Sequence, residues 1–413
     1  MVTRSFQRHP EWVVVLAGVS AAMHVAKLSP AIPVLRDTLA VSLLQAGFLL
    51  SMVQLAGMLL GLLAGLAADG IGLRRSMLTG LVVLSVASVL GALAEQPHTL
   101  LLLRGCEGFG FLLTVTPAPG LIRKLAPPAK MQSTLGLWGT YMPLGTAIAL
   151  LSGPAVIDAV GWRNWWLLLA GVTLMMVVWV AGAIAPDAPN PSAMLAGRRA
   201  PTLARVTWRL RVRRTLSSRG PWLVALCFAL YSGQWLAVIG FLPSVVAQAG
   251  RVGTAAALSL AVAALVNVVG NIASGRLLQR GVLPWHLLAT GFAAMALGAM
   301  LAFADLGWDS ASGGVATMRY LGVLLFSMLG GLIPGTLFSM AVQVAPDESS
   351  VSTTVGWIQQ FSALGQFIVP PVVAWLAASV GGWQWTWLAT GACSVLGLVV
   401  AQRIQRQLQH EHR

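Results

Sequence analysis

"GLAADGIGLRR", Gly65 to Arg75, is a short polar interruption between two apolar runs, 45 to 67 and 76 to 94. It packs one carboxylate, three glycines and two arginines into eleven residues. Each flanking run approaches the ~20 residues that an α-helix needs to cross a hydrocarbon core about 30 Å thick. The stretch therefore reads as a tight turn between two membrane helices, and the same reading extends along the chain.

Twelve such runs are present: 12 to 33, 45 to 67, 76 to 94, 100 to 120, 134 to 157 and 165 to 185, then 221 to 246, 253 to 274, 285 to 304, 315 to 343, 353 to 378 and 385 to 402. They are too long and too evenly apolar for the alternating strands of a membrane barrel. The expected fold is an all-α integral membrane protein with twelve transmembrane helices. Of 413 residues, 57% are hydrophobic and only 9% charged, and the mean hydropathy of +0.79 exceeds that of soluble domains. Arg4 and Arg8 precede the first run, as in a signal peptide. That run is longer than a signal core and lacks a small-residue cleavage site before Lys27. Cys106, Cys227 and Cys393 fall within the runs, which points away from a disulfide framework or a metal site, and no cofactor is expected.

The net charge of +14 is a matter of placement. With an even number of helices both termini share one side, and that side collects 20 of the 26 basic residues, including eight arginines from Arg198 to Arg219. The opposite loops hold Arg36, Arg163 and Arg251. This bias sets both termini in the cytoplasm of a bacterial-type inner membrane. The excess reads as topology and contact with anionic headgroups, so nucleic acid is not required. Tryptophans in "GWRNWW" (161 to 166) and "GGWQWTW" (381 to 387) are expected to form an interfacial belt on the outer side.

The Pro- and Arg-rich stretch 186 to 220 divides the chain into a first bundle, 1 to 185, and a second, 221 to 413. Within it, "RVTWRLRVRRTLSSR" reads as a basic amphipathic helix on the inner face, with Val206, Trp208 and Leu210 toward lipid, or as a solvated linker. The bundles resemble each other. "STLGLWGTYMPLG" (133 to 145) matches "TTVGWIQQFSALG" (353 to 365) at an offset of 220, the Trp-rich outer turns correspond, Trp162 to Trp383 and Trp166 to Trp387, and "GLAADG" (65 to 70) corresponds to "GRLLQR" (275 to 280) after the second helix of each half. Two six-helix, pseudo-symmetric halves in one orientation suit a transporter with parallel repeats and a solute site at the midplane.

Gly65, Asp69, Gly72, Arg74 and Arg75 resemble the signature that follows the second helix in the major facilitator superfamily, although Gly70 stands where a basic residue is usual and Leu73 also departs. "LLLRGCEGFGFLL" (101 to 113) supplies a second match, since Arg104, Gly108 and Gly110 fit that family's fourth-helix pattern. The resemblance implies a secondary transporter, with the first motif as a gate. "EGFGFLLTVTPAPGLIRK", "GLWGTYMPLGTAIAL" and "GWRNWW" are more weakly similar to the cyanate transporter and nitroimidazole-resistance branch. The glycine-rich signature of drug antiporters is incomplete: Gly153 and Pro154 are present, but Ala149, Ile157 and Asp158 replace its other glycines.

The costly charges mark the candidate site. At ~1.5 Å per residue, Arg104 lies roughly 9 Å and Glu107 roughly 14 Å below the outer surface, and Lys27 matches Arg104 in depth. Glu107 is the one acid far from every helix end. At a spacing of three, Arg104 and Glu107 share a helix face and either neutralise each other or face a cavity that carries substrate or protons. Glu107 is the candidate proton carrier, with His24 in reserve. Lys27 either snorkels or binds substrate. If both cations line the cavity, a small anion is favoured. Trp138, Tyr141, Tyr231, Gln234, Trp235, Gln359 and Gln360 complete the candidate substrate site, Asn267, Asn271 and Gln366 read as interhelical contacts, and Arg319 reads as an outer gate or headgroup anchor.

The expected function is proton-coupled uptake of a small anionic or polar solute by alternating access, by a monomer in the bilayer. Proton-driven export of an amphipathic compound or drug, and a receptor that does not transport, are the alternatives. An enzyme is not expected, since no HExxH, no pair of deep carboxylates and no Ser with a His partner occurs at membrane depth.

Overall fold

The computed structural model describes residues 9–127, 130, 134, 137–187, 200–251, 253–305, 313–347 and 350–411, with the side chains of 65–71, 200–208, 342, 352 and 408–411 outside that description. Arg4, Arg8 and residues 188–199 of the linker therefore lie outside it, as do the surroundings of Gly65 and the side chains of Asp69, Val206 and Trp208.

Every long element is an α-helix, and eleven are long and apolar enough to span a membrane. One of them, Tyr141–Ala183, has 43 residues and is broken at Gly161, where φ is +85°. It is two spans in series, so the chain has twelve. In order they are Pro10–Thr38, Leu43–Ala64, Leu73–Ala92, Pro97–Leu125, the two parts of Tyr141–Ala183, Arg219–Gln248, Thr254–Gln279, Pro284–Phe303, Gly313–Ala341, Thr353–Val380 and Trp383–Gln407. The second opens on a capping box: Ser42 Oγ accepts from the Gln45 amide at 3.1 Å, and Gln45 Oε1 accepts from the Ser42 amide at 2.9 Å.

The same packing recurs in both halves. The third span packs on the fourth and the ninth on the tenth; the second on the fourth and the eighth on the tenth. Small residues make the close crossings, as membrane helices require when apolar surface gains nothing by leaving lipid. Gly110 meets the backbone of Gly80 where third and fourth spans cross, and Gly322 meets that of Gly298 where ninth and tenth cross. Gly145 sits on the Val19 carbonyl and Ala22 of the first span, and Gly365, 220 residues later, sits on the Ala229 carbonyl of the seventh. The repeat is thus the trace of one packing solution used twice.

Between the halves, the second span packs along the eleventh, the far end of the first on the seventh, and the long Tyr141–Ala183 helix on the eighth. The Gln360 amide is spliced into the second span: its Oε1 accepts from the Leu62 amide at 2.9 Å and its Nε2 donates to the Met58 carbonyl at 2.8 Å. Those two groups would otherwise bond each other in the helical ladder. Gln54 Nε2 donates to Gln366 Oε1 at 2.9 Å one layer further out.

Two expectations need correction. Trp162, Trp165, Trp166 and Trp383 are buried, at 5%, 0%, 0% and 7% exposure, so these rings are core rather than belt, while Trp385 at 43% is exposed. Arg74 does not reach for headgroups: its Nη2 donates at 2.7 Å to the Ala181 carbonyl at the end of the sixth span. Arg75 is exposed, but its amide, at 3.0 Å, and that of Arg74, at 3.3 Å, donate to the Asp187 carboxylate. Asp187 therefore caps the third span from the far end of the bundle. Gly72 makes this possible, because φ is +103° there and a Cβ would collide with Asp187.

Candidate functional site

Two helix breaks create the site. The first span turns at Lys27, between helices Pro10–Ala26 and Leu28–Thr38. Pro30 lacks the N–H that would bond the Ala26 carbonyl. The second span breaks at Val53 and Gln54, between helices Leu43–Met52 and Leu55–Ile71. Each break leaves terminal carbonyls without an intrahelical donor and with the negative end of a helix dipole.

Arg104 fills both. From the fourth span its Nη1 donates to the His24 carbonyl at 2.7 Å and its Nη2 to the Val25 carbonyl at 3.2 Å, while Nε donates to the Leu49 carbonyl at 3.1 Å. Its position is set by Gly108, one turn on, which lies against the Val53 carbonyl where any Cβ would clash. The glycines of the fourth-span pattern thus have separate partners, Gly108 the second span and Gly110 the third.

Glu107 completes the cluster. Its Oε2 accepts from Arg104 Nη1 at 2.6 Å, and its Oε1 pairs with Lys27 Nζ. The ammonium also donates to Ser88 Oγ at 2.8 Å and to His24 Nδ1 at 3.3 Å, and it stands 4.7 Å from the centroid of the Trp166 ring. All three ammonium protons are used. Because Nδ1 of His24 faces a donor, its proton is on Nε2, which donates to Thr173 Oγ1 at 2.7 Å; Thr173 in turn lies 2.8 Å from Ser20 Oγ. Lys27, His24 and Arg104 are 0% exposed and Glu107 1%, so Lys27 does not snorkel. Two cations and one anion leave the cluster with one net positive charge. Removing the shared carboxylate from such a group strands both cations, at a cost of about 3–5 kcal/mol.

The remaining candidates are dispersed. Trp138 and Tyr141 stack at 4.4 Å, and Tyr141 packs beside Val25, Val53 and Phe111, one layer from Arg104. Its hydroxyl has no hydrogen-bond partner among the described residues. Tyr231 bonds Asn267, whose Nδ2 donates to its hydroxyl at 3.1 Å, and Trp235 Nε1 donates to Ser327 Oγ at 3.2 Å, so both tie the seventh span to its own half. Gln234 is buried between the seventh and twelfth spans, where its Oε1 accepts from Ser394 Oγ at 3.0 Å. Gln360 is held by the second span as above, whereas Gln359 is exposed. Sequence reading missed Ser20, Ser88, Thr173 and Trp166, which sit in apolar runs with nothing local to distinguish them. Asp187, at the edge of the linker, also carried no signal.

A buried ionic cluster beside helix breaks, in a bundle of two like six-helix halves, defines a membrane transporter. The model of the Major Facilitator Superfamily matches residues 14–359, and the chain belongs to that family. It is 21% identical to the hexuronate transporter of Bacillus subtilis over 95% of this chain and 93% of that protein. It is 26% identical to human monocarboxylate transporter 11 over 82% of this chain and 70% of that one. With the arabinose-proton symporter of Bacillus subtilis it shares 24% identity over 42% of this chain, a match that spans only 39% of that protein. Among solved structures, a bacterial homologue of the lysosomal transporter Spinster, inward-facing and occupied, superposes with a TM-score of 0.74 at 16% identity, covering 98% of this chain and 97% of that one. The D-xylose-proton symporter gives 0.72 at 15% identity, covering 95% and 96%.

Proposed function

We propose that this transporter takes up a small anionic solute with a proton, that Glu107 carries the proton, and that both termini face the cytoplasm of an inner membrane. The observation that carries the reading is that one carboxylate, Glu107, holds both buried cations. A proton on Glu107 raises the net charge of the cluster from one positive to two and leaves an ammonium and a guanidinium N–H without an anionic acceptor. A solute carboxylate replaces the lost charge. Proton and anion then favour each other's binding, which is the coupling a symporter needs.

His24 is the second proton carrier in this scheme, with Thr173 and Ser20 leading from it toward the cytoplasmic side. Tyr141, whose hydroxyl is free among the described residues, and Trp138 are the groups of the first half proposed to orient the solute, with Trp235 opposite. The seam that Trp235 faces, bounded by Val25, Ser29, Thr146 and Gln366, holds about 10 Å³ of free space, roughly one water-sized sphere. Solute binding thus requires the halves to part, and Gln360 and Gln54 are the latches proposed to release. Two relatives, a hexuronate and a monocarboxylate transporter, support an anion, and the arabinose-proton symporter supports a proton as partner.

A thermal-shift screen of purified protein with glucuronate, lactate and arabinose tests the substrate class. An anion should raise the melting temperature, and the effect should fall with Lys27→Gln or Arg104→Gln. Stabilisation by arabinose alone, or by anions equally in both variants, contradicts it.

A further inference from the structure

A separate cavity is remote from this cluster. About 650 Å³ in volume, it lies in the second half, among the ends of the seventh, eighth, ninth and tenth spans away from the termini. Its volume is that of a site for a drug-sized molecule. Leu242, Val245, Phe303 and Val323 give it apolar walls, Arg251 stands in the loop at its rim, and Arg319 lies on the tenth span. Leu242 is six residues before the end of the seventh span at Gln248, so the cavity reaches roughly 9 Å below that end.

Its polar groups are unequal. Tyr320 donates to the Ser259 carbonyl at 3.0 Å, Ser259 to the Ala256 carbonyl at 2.7 Å, and Thr317 to the Gly313 carbonyl at 2.9 Å. The hydroxyls have spent their protons on backbone. Arg251 and Arg319 have neither an ion pair nor a side-chain hydrogen bond among the described residues. The two guanidinium groups are the donors left to a ligand, and their planar forks match a carboxylate or a phosphate oxygen pair. A neutral polyol would find hydroxyls already committed, and a cation would meet like charge.

We propose that this cavity binds an amphipathic anion, with its charged head between Arg251 and Arg319 and its apolar body against Leu242, Val245, Phe303 and Val323. The head is a carboxylate or a phosphate, from a free organic acid or from an anionic lipid. The site is separate from the Lys27–Glu107 cluster and does not depend on what that cluster transports.

Binding of radiolabelled decanoate to the full chain in phosphatidylcholine nanodiscs tests this, with decanol and decyltrimethylammonium as competitors. Decanoate is expected to bind, neither competitor to displace it efficiently, and Arg319→Gln or Arg251→Gln to weaken it about tenfold. Val323→Trp, which fills the cavity without touching its charge, should abolish binding. If the occupant is an anionic lipid, phosphatidylglycerol in the disc will compete with decanoate in the unmodified protein, and the competition will vanish in Arg319→Gln; if a free acid, phosphatidylglycerol will not compete. Either result supports the site. Equal binding of decanoate and decanol, or decanoate affinity unchanged by both arginine variants and by Val323→Trp, overturns it.

Discussion

Lys27 of the first span and Glu107 of the fourth form a buried ion pair across 80 residues of sequence, in a chain where 9% of residues carry charge. The pair shares its carboxylate with Arg104. The three charges differ in what their loss leaves behind, and this gives an ordering. Glu107→Gln leaves two cations facing each other, whereas Lys27→Gln leaves a neutral pair. In detergent, Glu107→Gln should lower stability by about 3–5 kcal/mol and Lys27→Gln by clearly less. Thermal unfolding followed by tryptophan fluorescence checks the order; the reverse order would show that the ammonium, not the carboxylate, holds the cluster together.

Arg104 also serves two broken helices, and only a planar fork reaches three carbonyls and a carboxylate at once. Arg104→Lys keeps the charge but abandons some of those carbonyls, each worth about 1–3 kcal/mol when buried and unpaired. The conservative variant should therefore lose about 2–4 kcal/mol in the same assay. Stability within 0.5 kcal/mol of the unmodified protein, roughly the scatter of such measurements, would mean that charge alone is required.

Glycine positions can be told apart by what lies beside them. Gly110→Ala places a Cβ against the Gly80 carbonyl and should cost about 1–3 kcal/mol, while Gly171, with nothing within 4 Å, should tolerate alanine or gain up to ~1 kcal/mol of helix propensity. Thermal melts of the two variants side by side decide it.

The cap that Asp187 places on the Arg74 and Arg75 amides predicts that Asp187→Ala destabilises by about 0.5–2 kcal/mol, and that Gly72→Ala does worse because backbone strain adds to the collision with Asp187. If the Asp187 variant melts with the unmodified protein, the capping contact contributes nothing.

Gln360→Leu removes both bonds to the second span. Spin labels on the second and eleventh spans, measured by pulsed dipolar spectroscopy, should show a shift toward longer distances; an unchanged distribution would remove Gln360 from the gate.

How far the sequence could be read depended on whether the relevant physics was local. Span length and hydropathy are local, so the twelve helices and the two halves were legible. So was the repeat, because Gly145 and Gly365 answer the same packing demand in each half. The break at Val53 was not, since neither proline nor glycine marks it and Arg104 stabilises it from the fourth span. Lys27 looked able to snorkel because depth alone says nothing of a carboxylate 80 residues away. The buried tryptophans were misread for the same reason: a ring at interfacial depth faces lipid or neighbour according to packing that no local pattern encodes.

The central claim is that Glu107 couples a proton to an anion. Its most direct test is transport by Glu107→Gln in proteoliposomes, using the anion identified by thermal shift. Uphill uptake driven by an inward proton gradient should be lost, while solute exchange across the membrane, which also shows that the variant is folded, continues. Uphill uptake at the unmodified rate would contradict the account.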